Sequence, residues 1–161
     1  MVYLADTSLL LNDFFHRHPH LAQVRGGREA SPQLLEMWQQ SHEALLYLSL
    51  QPATWVAVAE YSILRLASVL SDLRIDPQLI LDELRYWNTN FRLLSLSPGE
   101  AEQALERGLA LYPDPRRPAE DYLLAQLASR YEIDTVLSPL PRPDELLGGI
   151  RFLTPQAVVG G

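Results

Sequence analysis

Residues Met1–Asn12 read MVYLADTSLLLN, and the fold follows from how that stretch is parsed. Val2-Tyr3-Leu4-Ala5 is a short apolar run with the signature of a buried strand. It stops at Asp6, followed by Thr7, Ser8 and the apolar Leu9, Leu10 and Leu11. A carboxylate at the carboxyl end of a buried strand lies where open α/β sheets form their ligand crevice. The same Asp6 also suits the N-cap of the next helix, so this stretch alone leaves both roles open.

Working outward, the same pattern recurs. Ser31-Pro32 starts a helix, with Ser as cap and Pro in the first turn, and Leu34, Leu35, Trp38, His42, Leu45 and Leu46 predict its apolar face. His42 on that face reads as a packed core histidine. Ala53–Val58 reads as a second strand running into Glu60, which heads a stripe of Ile63, Leu64 and Ala67. That spacing places a carboxylate at the start of the core-facing side of a helix, where it needs a partner or a metal; a solvated place at the core edge is the plainer alternative. Asp76-Pro77 opens a helix with Leu79, Ile80, Leu84 and Trp87 inward. Phe91–Leu96 reads as a third strand, and Ser97-Pro98-Gly99-Glu100 as a capping box.

The last third repeats the motif. Tyr112–Pro118 is a turn-rich loop in which Arg116 and Arg117 read as solvated. A helix over Pro118–Tyr131 begins its apolar stripe of Leu124, Ala125 and Ala128 with Asp121. Asp134–Ser138 reads as a fourth strand, Pro139–Gly149 as an irregular loop, and Ile150–Thr154 as a last strand closed by Pro155. His16, His18 and His20 alternate, but Pro19 and Gly26-Gly27 favour a solvated loop over a metal site.

Composition removes whole classes of chemistry. The 161 residues predict one domain, spanning 1–161, and 47% hydrophobic content suffices for one core. No cysteine is present, so disulfides, thiolate zinc sites and cysteine nucleophiles are excluded. All thirteen basic residues are arginine, which excludes the lysine of a P-loop and Schiff-base chemistry. A net charge of −7 and a pI near 5.0 argue against bulk electrostatic binding of nucleic acid. With neither a membrane-length apolar run nor a secretory leader pattern, the expectation is a cytoplasmic protein.

Strands alternating with helices predict an α/β fold, a three-layer α/β/α sandwich around a central, mostly parallel sheet. Asp6 and Glu60 then share one edge of the sheet. Asp121 precedes its strand, so spacing alone does not place it there. Separate carboxylates without lysine, cysteine or a histidine partner suit a hard cation, Mg²⁺ or Mn²⁺, which activates water and neutralises a phosphodiester.

Three pieces, VYLADTSLLL, VAVAEYSILRL and EDYLLAQLASRYEIDTVLS with GIRFLTPQAV, occur in the order and spacing of a PIN domain. Over essentially its whole length the chain resembles PIN proteins of the VapC-like toxin ribonuclease family. That resemblance implies a PIN-like sandwich and a metal-dependent nuclease acting on an RNA substrate. It implies that Asp6, Glu60 and Asp121 hold the metal, with Ser8 lining the site and Asp121 brought to the same crevice. It also implies a small antitoxin protein as partner and a homodimer, with no membrane. One departure stands out: where the family has an acid after the fourth strand, this chain has Ser138-Pro139-Leu140. Asp144 is the nearest carboxylate able to supply a metal ligand in its place, or it caps a local turn. A PIN-like binding or scaffold module without catalysis is the alternative function, and another metal phosphoesterase a third.

Overall fold

Val2–Ala5 forms β1, the middle strand of a six-stranded sheet, in a computed structural model that describes residues 1–22 and 30–160. Beyond it lie helix α1 (Thr7–Arg17), a 3₁₀ turn (Pro19–Ala22), α2 (Pro32–Leu50), β2 (Trp55–Ala59), α3 (Glu60–Asp72) and α4 (Pro77–Asn90). Then come β3 (Arg92–Leu94), α5 (Pro98–Leu111), α6 (Ala119–Arg130), β4 (Thr135–Leu137), β5 (Leu146–Leu147), β6 (Ile150–Leu153) and α7 (Pro155–Val159). The sheet order is β3-β2-β1-β4-β6-β5, parallel throughout except for the β5–β6 pair.

Strand alternation separates two cores. Ala5, Val56, Val58 and Leu137 face one layer, where α1 to α4 bring Leu9, Phe14, Trp38, Leu66 and Trp87. Leu4, Ala57, Ala59, Val136 and Phe152 face the other, where α5 and α6 bring Leu105, Tyr122, Leu124 and Leu127. Period-two strands buried on both faces are what a parallel sheet covered by helices requires. The expected three-layer α/β/α sandwich is therefore present. Among the described residues, no helix is long and apolar enough to cross a membrane.

Start signals behave as their chemistry dictates. Ser31, Asp76 and Ser97 each accept a hydrogen bond from a first-turn amide, and Ser97 and Glu100 form both bonds of the capping box. Other expectations are corrected. His16 and Arg17 belong to the last turn of α1 rather than to a loop; Gly26-Gly27 of that loop lie outside the described residues. Leu34, Leu35 and Leu46 are exposed; α2 buries Trp38 and Leu45 as expected, together with Ser41, Ala44 and Leu48. His42 is only partly buried and is held by Asp13, whose Oδ1 lies 2.7 Å from its Nδ1. The segment 139–149 contains β5, which turns back into β6 through Gly148 (φ +58°) and Gly149 (φ +84°). That left-handed pair is the backbone a tight hairpin turn needs and glycine supplies without strain. Pro155 closes β6 and also opens α7.

Candidate acidic site

The strand order fixes where a site can lie. β1 connects to β2 on one side and is flanked by β4 on the other, so the sheet has its topological switch at the carboxyl ends of β1 and β4. Asp6 follows β1 at that point, its backbone N–H donating to Leu137 O across 3.1 Å. α6 returns antiparallel to β4, which brings its first turn, with Glu120 and Asp121, to the same edge. This connection supplies what spacing alone left undetermined.

Asp6 caps the next helix and also faces the crevice. Its Oδ1 accepts from Leu9 N–H at 2.8 Å and caps α1, while Oδ2 turns to the crevice. Burial pushes its carboxyl up to about 7; the neighbouring Glu120 charge adds to this, while a Ser138 hydrogen bond, the Leu9 amide and Arg142 pull it back. Asp121 is fully buried. Both of its oxygens accept from Arg142, Oδ2 from Nε at 2.6 Å and Oδ1 from Nη2 at 2.9 Å, and Arg117 Nη1 donates to Oδ2 at 3.2 Å. The Arg142 Nη2 also reaches Asp6 Oδ2 at 3.4 Å. One guanidinium thus ties the two acids together.

Glu120 is the carboxylate that sequence spacing passed over. Its Oε1 accepts from Thr7 N–H at 3.1 Å, Thr7 Oγ1 at 2.7 Å and Ser62 Oγ at 3.2 Å, and Arg65 stands 3.5 Å from Oε2. Its signal is adjacency to Asp121 in a helix first turn, which the spacing of an apolar stripe does not register. Tyr61 lies near the same acids. Burial and the Glu120 charge keep its phenol protonated, and its hydroxyl has no hydrogen-bond partner among the described residues.

The other expected residues are placed as follows. Glu60 opens α3 at the same sheet edge but is exposed, and among the described residues it makes no hydrogen bond or ion pair. The buried stripe of α3 runs instead through Ser62, Ile63, Leu66 and Leu70, so the core-facing position expected for Glu60 is corrected. Ser8 is partly buried in the first turn of α1. Leu140 is 43% exposed. Asp144 is exposed; its Oδ1 accepts from Leu146 N–H at 3.0 Å, and its backbone carbonyl accepts from Arg117. Arg116 is solvated as expected and pairs with Asp114, but Arg117 is buried against Asp121 and above the Phe152 ring, contrary to expectation.

Asp6, Asp121 and Glu120 offer hard oxygen donors, the set that Mg²⁺ and Mn²⁺ prefer. As arranged, no three acidic or histidine side chains among the described residues gather closely enough to hold a metal ion. The donor chemistry fits a hard cation, and a guanidinium spans two of the donors.

No protein-family model matches the sequence, and no curated protein does so either. Solved structures do match. VapBC2 from Rickettsia felis, bound to a promoter DNA fragment, superposes with a TM-score of 0.64 at 11% identity, covering 96% of this chain and 98% of that one. VapC20 from Mycobacterium tuberculosis, a toxin that cleaves the sarcin-ricin loop, superposes with a TM-score of 0.54 at 13% identity, covering 84% and 87%. Shared topology over nearly the whole chain at such identity is a statement about fold. This chain has the PIN-like fold of the VapC toxin structures.

Proposed function

We propose that the chain is a PIN-type endoribonuclease, dependent on Mg²⁺ or Mn²⁺ and acting as the toxin of a toxin–antitoxin pair. The observation that carries this reading is the convergence of buried Asp6 and Asp121 at the switch point of the sheet, in a fold shared with VapC toxins. Two carboxylates there, with Glu120 beside them, are costly to the fold unless a cation or a partner uses them.

In this reading Asp6 and Asp121 hold the cation, with Glu60 at the rim and Glu120 beside it as further acids, and Asp144 the remaining candidate. A cation held by these residues would supply Lewis-acid polarisation of a phosphodiester and an activated water. The chain's own residues orient the donors. The Leu9 amide fixes Asp6 Oδ1, so Oδ2 is the oxygen offered to the crevice. Thr7 and Ser62 fix Glu120 Oε1, leaving Oε2 toward Arg65. The Arg65 side chain is 60% exposed and stands ready for a phosphate of an RNA strand. With a net charge of −7, affinity for RNA rests on this local contact rather than on a basic surface. The toxin reading brings with it a small antitoxin protein and a homodimer, and exposed Leu46 and Leu50 on α2 are apolar surface that such contacts use.

A second reading, a PIN-like binding or scaffold module without catalysis, is favoured by the arginine seated on both acids and by Leu140 in place of an acid. Cleavage of RNA with and without Mn²⁺ separates the two. Metal-dependent cutting that disappears in both Asp6→Asn and Asp121→Asn supports the nuclease; absence of cutting with and without Mn²⁺ favours the module.

A further inference from the structure

We infer that Arg142 is an internal latch: its guanidinium occupies the acidic centre in place of a divalent cation and must leave before one binds. The latch rests on the cation-site reading above. It is carried by the geometry of one side chain.

Arg142 lies between Pro141 and Pro143 on the segment that joins β4 to β5. Only 4% of its side chain is exposed. Every guanidinium nitrogen is engaged. Nε and Nη2 bind Asp121 bidentately at 2.6 and 2.9 Å, Nη2 also reaches Asp6 at 3.4 Å, and Nη1 donates to Leu140 O at 2.6 Å. Its Cζ sits 5.6 Å from the centre of the Phe152 ring. Burial disfavours its charge, yet the hydrogen bond and charge of Asp121, and then the charge of Asp6, more than offset this and hold the group protonated. A planar fork is the side chain best matched to two adjacent carboxylates.

The oxygens involved are those a cation needs. Asp6 Oδ1 is committed to the helix cap, so Oδ2 is its free donor, and Arg142 holds it. Both oxygens of Asp121 are likewise taken. Two cations cannot share this set without strong repulsion in a buried place. Occupation by metal and occupation by Arg142 are therefore alternatives, not a common state. Leu140 is 43% exposed, Asp144 is exposed, and at its far end Arg117 grips the Asp144 carbonyl, so the loop stays tethered while Arg142 swings out. When one state is competent and the other shut, apparent affinity falls by the competent fraction. A loop shut about nine-tenths of the time lowers cation affinity roughly tenfold.

The test uses the full chain and reads binding, not cleavage. Mn²⁺ affinity is measured by calorimetry for the parent, Arg142→Gln, Asp6→Asn and, as an exposed control, Arg116→Gln. Arg142→Gln is expected to bind roughly tenfold tighter than the parent, with Arg116→Gln unchanged and Asp6→Asn weakened. Because removing a buried arginine can unsettle the fold, the parent is also followed by NMR during Mg²⁺ titration. The Arg142 Nε–Hε resonance is expected to be protected in the absence of metal and to lose that protection as Mg²⁺ binds. If Mn²⁺ binds the parent and Arg142→Gln equally, and the resonance stays protected at saturation, the latch is wrong while the cation site stands. If neither protein binds Mn²⁺, the cation site fails and the latch fails with it.

Discussion

Replacing Asp6 with Asn should stabilise the metal-free protein, and by an amount that depends on pH in a defined direction. Asp6 is 2% exposed, and its folded-state carboxyl titrates at about 7 against an ordinary 3.8. Its folded pKa lies above its unfolded one, so folding prefers the protonated form. Below about pH 4 both states are protonated and the group costs nothing. Between pH 4 and 7 the unfolded chain releases the proton first, and stability falls; above 7 the cost is complete. A rise from 3.8 to about 7 corresponds to roughly 4 kcal/mol. Asparagine carries no charge and keeps an Oδ1 to cap α1 through Leu9 N–H, so the cap survives. Arg142 already lowers that folded value, so the gain is the net one, about 4 kcal/mol at pH 8 and falling toward zero near pH 4.

The assay is urea unfolding of the parent and Asp6→Asn at pH 4.5 and pH 8 in the presence of a chelator. Comparing the two proteins at each pH removes every titration they share. Added Mn²⁺ should then reverse the order at pH 8, because a ligand that binds only the folded state stabilises by mass action, and only the parent retains the full donor set. If Asp6→Asn has the same stability relative to the parent at both pH values, the account of burial at this carboxyl is refuted.

Arg17→Met should destabilise by about 3–5 kcal/mol in urea unfolding, because Arg17 pairs with Asp13 and Glu83, both almost fully buried, and its loss leaves Asp13 with only His42 and Glu83 with only the Trp87 indole N–H. Gly108→Ala should lower the melting temperature although alanine favours helix by about 1 kcal/mol: the added Cβ falls 2.2 Å from Tyr122 Cδ1, and that ring is pinned by its hydroxyl donating to Tyr112 O at 2.6 Å. Asp144→Asn should leave Mn²⁺ affinity within twofold by calorimetry if its carboxylate only caps Leu146; a larger loss would assign it to the cation site.

The layers of this fold were legible because they rest on periodicity and caps. Every strand is short, all except β5 are closed by a polar residue, and Ser31-Pro32, Asp76-Pro77 and Ser97–Glu100 announce three helices whose caps are observed. Phase was less legible than period. On α3 the spacing predicts an inner face through Glu60, Ile63, Leu64 and Ala67. Ser62 is nevertheless buried, because its hydroxyl is spent on Glu120, and Leu64 is 64% exposed. A polar residue on a stripe argues against burial only when it has no partner, and that partner lies 58 residues further along the chain.

The same limit explains the acidic centre. Sequence spacing ranks a carboxylate by the stripe it heads, which found Asp121 and passed over Glu120 one residue earlier. It has no rule at all for Arg142, because a loop has no period from which to infer direction. Charge balance is the constraint that links them. Asp6, Glu120 and Asp121 are brought to one sheet edge by β1 and α6, and two buried arginines, 117 and 142, answer them. A chain of thirteen arginines and no lysine thus places the flat, bidentate cation where carboxylates cluster in pairs. That choice pairs the buried Asp6 and Asp121 within the chain, and under the proposed cation reading it makes the reach of one loop arginine, rather than the number of acids, the quantity on which binding would turn.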